Sequence, residues 1–335
     1  MTKAAEEKGG GKFEGIKLAL CENPLPPIPE AVSAAAGELE KSNRYTEPYS
    51  PELRKEISKY AKAPEELIHI NAGSELILRQ IFELFGSRPH LIVPTYSLFE
   101  EISKSKTCTY LREEEGFRFD LANLKVPEKT TIVTIVNVNN PTGGVFDIRD
   151  SLHLLDDNPE TFFLVDEAFI EFGGRPVSDL VEDYDNLIVT RTFSKGFSLA
   201  GFRVGYAILP EKWANHFNMG NDAYPIARPG EAAAIASLRN IDRIRERVKR
   251  LKGWAQGLSA ELEELGIKTY PSEGYFFLAR LPVNAEKFAS EMLRNGVMVK
   301  PLKQAGLEGD FVKFVTSAPE KDRVVVETVK KILGS

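Results

Sequence analysis

"TIVTIVNVNNPTGG" (Thr131–Gly144) decides how this chain is read, because it passes from a strand core to a polar strand end in one short segment. Ile132, Val133, Ile135 and Val136 form the near-continuous apolar run of a strand buried on both faces. Asn139, Asn140, Pro141 and Gly143 then end it with turn formers. The same grammar repeats outward. Downstream lie a helical pattern, "IRDSLHLLDD", and the apolar runs "TFFLVDEAF", "LIVTRTF" and "FRVGYAIL". Upstream lie "LIHIN", "HLIVP" and the helical "SLFEEISKSK". Between those two strands "SELILRQIFELFG" repeats Leu76, Ile77, Ile81, Leu84 and Phe85 at helical spacing. Alternation of this kind predicts an α/β fold, a mostly parallel sheet sandwiched by helices. Ligands of such sheets sit beyond the carboxyl ends of the strands.

After Pro210 the texture changes. A long helix is predicted from Glu231 toward Leu265, then short strands in "IKTY", "YFFLARL" and "VMVKPL" around the helix "AEKFASEMLRNG". A final helix is expected after a capping box of Ser317 and Glu320, with Pro319 in its first turn. These elements predict a smaller α+β domain. The expected organisation is a flexible tail (1–15), a large domain (35–215) and a small domain built from 16–34 plus 216–335.

Composition narrows the classes. With 335 residues, 42% hydrophobic and 27% charged, the chain is an ordinary globular protein with room for a large core. No apolar run is long enough to span a bilayer, and the charged, Gly-rich start lacks the apolar stretch of a signal peptide. Cys21 and Cys108 form no metal or disulfide pattern, so no metal is expected and a cytoplasmic setting fits. Net charge is −6, and the one basic cluster, "RIRERVKR", lies in a helical pattern without interleaved aromatics, which argues against nucleic acid.

Chemistry concentrates at the strand ends. Asp166 and Glu167 follow an apolar run in "FLVDEAF"; alone, an acid there would simply cap a helix. "NAGSE" opens a helix with small residues, which frees backbone N–H groups for an anion. "RTFSKGFSLAGFRVGY" adds Thr192, Ser194, Lys195 and Arg203. An amine, an acid, an amide and a set of phosphate donors match the needs of pyridoxal 5'-phosphate: a lysine for its aldehyde, a carboxylate for its ring nitrogen, hydroxyls and a guanidinium for its phosphate. No GxGxxG follows a strand, and no Walker A or HExxH sequence is present.

In this order, "NNPTG", "VDEAF" and "RTFSKGFSLAGFRVGY" resemble fold-type I pyridoxal-phosphate enzymes, and within them the histidinol-phosphate aminotransferase group and its relative threonine-phosphate decarboxylase. The likeness runs from "LALCENPLP" to "FVKFVTSAPE". It implies Lys195 as the Schiff-base lysine and proton carrier, and Asp166 as partner of the pyridinium nitrogen. It also implies Asn140 as donor to the phenolic oxygen and Tyr96 as the stacking ring. Gly73, Ser74, Thr192, Ser194 and Arg203 would hold the phosphate. Tyr45, in "NRYTEPYS", would reach the neighbouring subunit's cofactor phosphate, which implies a homodimer with shared active sites. Lys313 and Asn23 are the implied substrate contacts. Gly196 and Gly201 are expected to let the backbone pass close to the cofactor.

Some positions depart from the resemblance. Phe169 stands where the aminotransferases usually have tyrosine, a feature of the decarboxylase branch. Lys313 stands where they carry an arginine, so the anion grip is weakened, shifted to Arg280 or absent, and Lys313 could equally be an exposed strand residue. Gly274 and Tyr275 replace a common asparagine. The first expectation is amino transfer between glutamate and a keto substrate, best matched by imidazole acetol phosphate, then by an aromatic 2-oxo acid. The alternatives are decarboxylation of threonine phosphate and a non-catalytic cofactor-binding protein.

Overall fold

The computed structural model describes residues 13–220 and 223–334, so most of the expected tail, residues 1–15, lies outside them. The N-terminal elements are β1 (Ile16–Lys17), α1 (Pro29–Leu39) and α2 (Pro51–Ala61). The central alternation follows as β2 (Ile68–Asn71), α3 (Ser74–Phe85), β3 (Pro89–Val93), α4 (Ser97–Ile102), β4 (Thr107–Tyr110) and β5 (Ile132–Val136). It continues through α5 (His153–Asp157), β6 (Phe162–Asp166), β7 (Leu187–Thr192) and β8 (Gly205–Ile208).

β2 to β8 form a seven-stranded sheet in the order β2-β8-β7-β6-β5-β3-β4. β8 runs antiparallel to both neighbours, and the other neighbouring pairs are parallel. Strand alternation divides its apolar residues between two cores. Leu91, Val93, Val136, Leu164 and Ile188 pack with Ile77, Leu78 and Ile81 of α3 on one face. Ile92, Val133, Ile135, Val165 and Val189 face the other side. Burial on both sides explains the continuous apolar runs. The edge strand β4, "TCTY", lacks such a run and has exposed ends, so its periodicity carried no signal.

Past β8 come α6 (Glu211–Gly220), α7 (Arg228–Arg239), α8 (Ile241–Glu264), β9 (Lys268–Thr269), β10 (Phe276–Arg280), α9 (Ala285–Arg294), β11 (Val297–Met298), β12 (Lys300–Leu302), β13 (Phe311–Val315) and α10 (Pro319–Leu333). A four-stranded antiparallel sheet has the order β12-β13-β10-β9. β1 pairs in parallel with β11, and α1 packs along α7.

Two local expectations are corrected. The helix expected from Glu231 to Leu265 breaks at Asn240, whose side-chain amide donates to the Ala236 carbonyl and whose backbone (φ −116, ψ 37) leaves the helical region. The Ser317–Glu320 capping box is not formed. Asp322 takes the Ser317 N–H at 2.7 Å and the Thr316 hydroxyl at 2.5 Å, capping α10 from inside its first turn.

Candidate active site

A cavity of about 630 Å³ opens at the carboxyl edge of the large sheet. It gathers Ser74, Tyr96, Asn140, Asp166, Thr192, Ser194, Lys195, Arg203 and Lys313, residues spread over much of the chain. The convergence follows from topology. β3, β5, β6 and β7 all end on this edge, while β8, running the other way, begins there with Arg203 just before it.

The anion cradle lies at the start of α3. Gly73 has φ +89, and a Cβ there would meet the Arg203 guanidinium at 2.4 Å, so only glycine lets the arginine come this close to the backbone. No side chain caps the helix, so its first N–H groups stay available. Arg203 donates to the Ala200 carbonyl at 3.2 Å. Thr192 and Ser194 bond each other at 3.0 Å, and the Thr192 hydroxyl also receives the Ser194 N–H at 3.1 Å.

Asp166 is buried with both of its hydrogen bonds on Oδ1, from the Thr190 hydroxyl and the Ala168 N–H, each at 3.2 Å. Burial pushes its carboxyl up to about 6 against those bonds. A cationic partner such as a protonated ring nitrogen would reverse that push. Burial lowers the Lys195 amine below its usual range, and nearby Lys313 adds to the effect. A lowered amine is a better nucleophile at neutral pH. Its Nζ lies 3.2 Å from the Cys21 carbonyl and 3.4 Å from that of Leu20, and 5.6 Å over the Phe169 ring. Burial raises the Tyr96 phenol to about 12, so it offers a neutral ring face.

Lys313 is 7% exposed, which corrects the reading of it as an exposed strand residue. Its Nζ donates to Asn140 Oδ1 at 3.0 Å, and this orients the amide so that Nδ2 remains to donate elsewhere. Arg280 is outside the cavity lining and pairs with Glu113, so the anion grip did not move there. Asn23 is not a lining residue either. Its Nδ2 donates to the Lys195 carbonyl at 2.8 Å and its Oδ1 accepts from the Leu25 N–H at 3.0 Å, so it fixes backbone. Tyr45 is 77% exposed and stacks on Tyr224 outside the cavity. Gly201 has open space where a Cβ would lie, and Gly196 abuts Glu171. Lys300, on the cavity wall, was missed in the sequence; its lone charge in a short strand gave no signal.

The residues present fit pyridoxal phosphate: a cradle that a Cβ would fill, a costly buried acid and a lowered amine share one cavity. This is the architecture of the fold-type I pyridoxal-phosphate enzymes. Comparison with known proteins carries the assignment further: residues 14–329 match the model of aminotransferase class I and II, and the chain belongs to that pyridoxal-phosphate-dependent family. It is 31% identical over 326 residues to histidinol-phosphate aminotransferase 1 of Archaeoglobus fulgidus, covering 95% of this chain and 99% of that one. The solved histidinol-phosphate aminotransferase of Clostridium acetobutylicum superposes with a TM-score of 0.87 at 25% identity, covering 95% of this chain and 99% of that one. L-threonine-O-3-phosphate decarboxylase of Porphyromonas gingivalis shares the fold, with a TM-score of 0.83 at 18% identity over 96% of this chain and all (100%) of that one.

Proposed function

We propose that this aminotransferase moves an amino group between glutamate and a phosphate-bearing keto substrate, with histidinol phosphate and imidazole acetol phosphate as the pair. The observation that supports it most is a charge conflict. Lys300 and Lys313 are directly opposed on β12 and β13, and both line the cavity. Like charges facing each other across a sheet destabilise it, and an anionic substrate group between them offsets the repulsion. The names of the relatives point to the same substrate.

Pyridoxal phosphate, when bound, supplies the electron sink that weakens bonds to the substrate's amino-bearing carbon. Ser74, Thr192, Ser194 and Arg203, with the helix-start N–H groups, would hold its phosphate. Asp166 would keep a proton on the ring nitrogen, Tyr96 would cover a ring face, and Asn140 would donate from Nδ2 to the phenolic oxygen. Lys195 would hold the cofactor through its aldehyde and, as a free amine, would carry the proton at the substrate's amino-bearing carbon.

The same reading divides the chain into a large domain (35–215) and a small one (16–34 plus 216–335), with the cavity between. It also pairs the chain with a second copy, Tyr45 reaching the partner's cofactor phosphate. The exposure of Tyr45, Val32 and Leu39 supports that surface. Among the described residues no helix is long and apolar enough to cross a membrane. A cytoplasmic enzyme of histidine biosynthesis is the setting we infer.

Decarboxylation of threonine phosphate is the second reading, favoured by Phe169 on the cavity wall. A half-reaction screen watched by absorbance separates the two. Glutamate and histidinol phosphate should each shift the cofactor spectrum without an acceptor. Carbon dioxide released from threonine phosphate, with no response to glutamate, would replace the first reading by the second.

A further inference from the structure

Outside the cavity lining, a second set of polar groups, half-buried Glu171 and Tyr60 with buried Arg191, presses on the turn that carries Lys195. Glu171, in the loop after β6, sends its side chain against Gly196. A Cβ on Gly196 would lie 2.9 Å from Glu171 Cγ and 3.0 Å from Oε2. The carboxyl group therefore fills the space that a side chain at 196 would need. Oε1 accepts from the Tyr60 hydroxyl of α2 at 2.9 Å, whereas buried Oε2 has no partner among the described residues. The Tyr60 ring meets Phe197 edge-on at 5.7 Å, with the Arg191 guanidinium 5.6 Å over it. Asn23 meanwhile holds the Lys195 carbonyl. The residues flanking the reactive amine are thus gripped by Asn23 through one peptide and by Glu171 and Tyr60 through the next.

A half-buried acid with one buried, unpartnered oxygen is a costly way to fill space, since an apolar side chain would pack there without a polar group to desolvate. Arg191, whose charge acts on it, is engaged by Glu167 at 2.7 Å. Burial pushes the Glu171 carboxyl up to about 7, against the pull of Arg191 and the Tyr60 hydrogen bond. The charged and titratable groups around it are Tyr60 from α2, Arg191 from β7, Tyr206 from β8, Tyr275 beside β10 and Glu167 at the end of β6.

We propose that Glu171 is a positioning residue for Lys195, its carboxyl group bracing the Lys195–Gly196 turn so that the amine is held in register with the cofactor. The inference rests on the cofactor reading above. A charge on Glu171 draws the carboxylate toward water or toward Arg191 and slackens the turn. The free protein carries more protons at this site than the unfolded chain between about pH 4.5 and 7, so the brace weakens as pH rises through 7.

Pyridoxal phosphate affinity, read by absorbance from pH 6 to 9, tests this in the wild type, Glu171→Gln and Glu171→Ala, with melting of each cofactor-free protein as the control for folding. Wild type should lose affinity above pH 7 relative to Glu171→Gln, and the difference between them isolates this carboxyl. Glu171→Gln should match wild type at pH 6 and keep only the pH dependence that Asp166 and Lys195 impose, and Glu171→Ala should bind about tenfold more weakly than Glu171→Gln at every pH. Should the alanine variant fail to fold, the glutamine variant decides alone. Affinities for both variants within about twofold of wild type at every pH would overturn the proposal. A wild type that binds no cofactor would instead remove the reading on which it rests, and the proposal with it.

Discussion

Asp166 and Glu167 are neighbours in sequence, both acidic and both buried, yet they serve opposite sides of the same strand end. Glu167 faces a closed network. One oxygen takes Arg191 Nε at 2.7 Å, the other takes the Val177 N–H at 2.8 Å, and Arg191 also donates to the Ser178 hydroxyl at 2.8 Å. Asp166 faces the cavity with hydrogen bonds to only one oxygen and no cation bonded to it. The contrast separates two uses of a buried charge. A satisfied pair holds the fold, whereas an acid kept short of partners is a cost carried for a ligand.

The contrast can be broken most forcefully on the closed side. Arg191→Ala leaves Glu167 buried without a counter-charge and should cost about 3–5 kcal/mol in denaturant unfolding. A loss below about 1 kcal/mol would mean that the network is not what holds this region. On the open side the expected sign reverses. Asp166 titrates near 6 when folded and near 3.8 when unfolded, so the folded protein binds the extra proton between those values. Stability therefore falls as pH rises from 3.8 to 6, and the penalty is complete above 6. Asp166→Asn should remove it, making the cofactor-free protein roughly 2–3 kcal/mol more stable at pH 8 while weakening cofactor binding. An asparagine variant that is less stable at pH 8 would contradict the open-site account. The smallest effect is at Phe169. Phe169→Tyr adds a donor to the cavity that Asn140 also lines and should lower the pH midpoint of the bound cofactor's absorbance by about one pH unit at most. An upward movement would place the new hydroxyl away from the phenolic oxygen.

What could be read in the sequence followed the same division. Strands buried on both faces announce themselves as apolar runs, so β2, β3, β5, β6, β7 and β8 were legible. The exposed edge strand β4 was not. Lys195, Asp166, Asn140 and Arg203 stood out because each follows or precedes such a run, and the structure brings them to one cavity. Tyr60 and Glu171 were invisible because their meaning depends on a contact across 111 positions of chain, although Glu171 lies only two residues past Phe169 in "DEAFIEF". Lys313 was ambiguous for a related reason. A single lysine in "FVKFV" reads equally well as solvent-facing or buried until its cross-strand partner is known. The break at Asn240 needed backbone geometry that side-chain periodicity does not carry.

The central question is which amine takes the cofactor. Borohydride reduction of the protein loaded with pyridoxal phosphate, followed by peptide mapping, reads this directly. The expected result is a bleached visible band and a single reduced adduct on the peptide containing Lys195, absent in Lys195→Ala. An adduct on Lys313 or Lys300, or none in a protein that binds the cofactor, would contradict it.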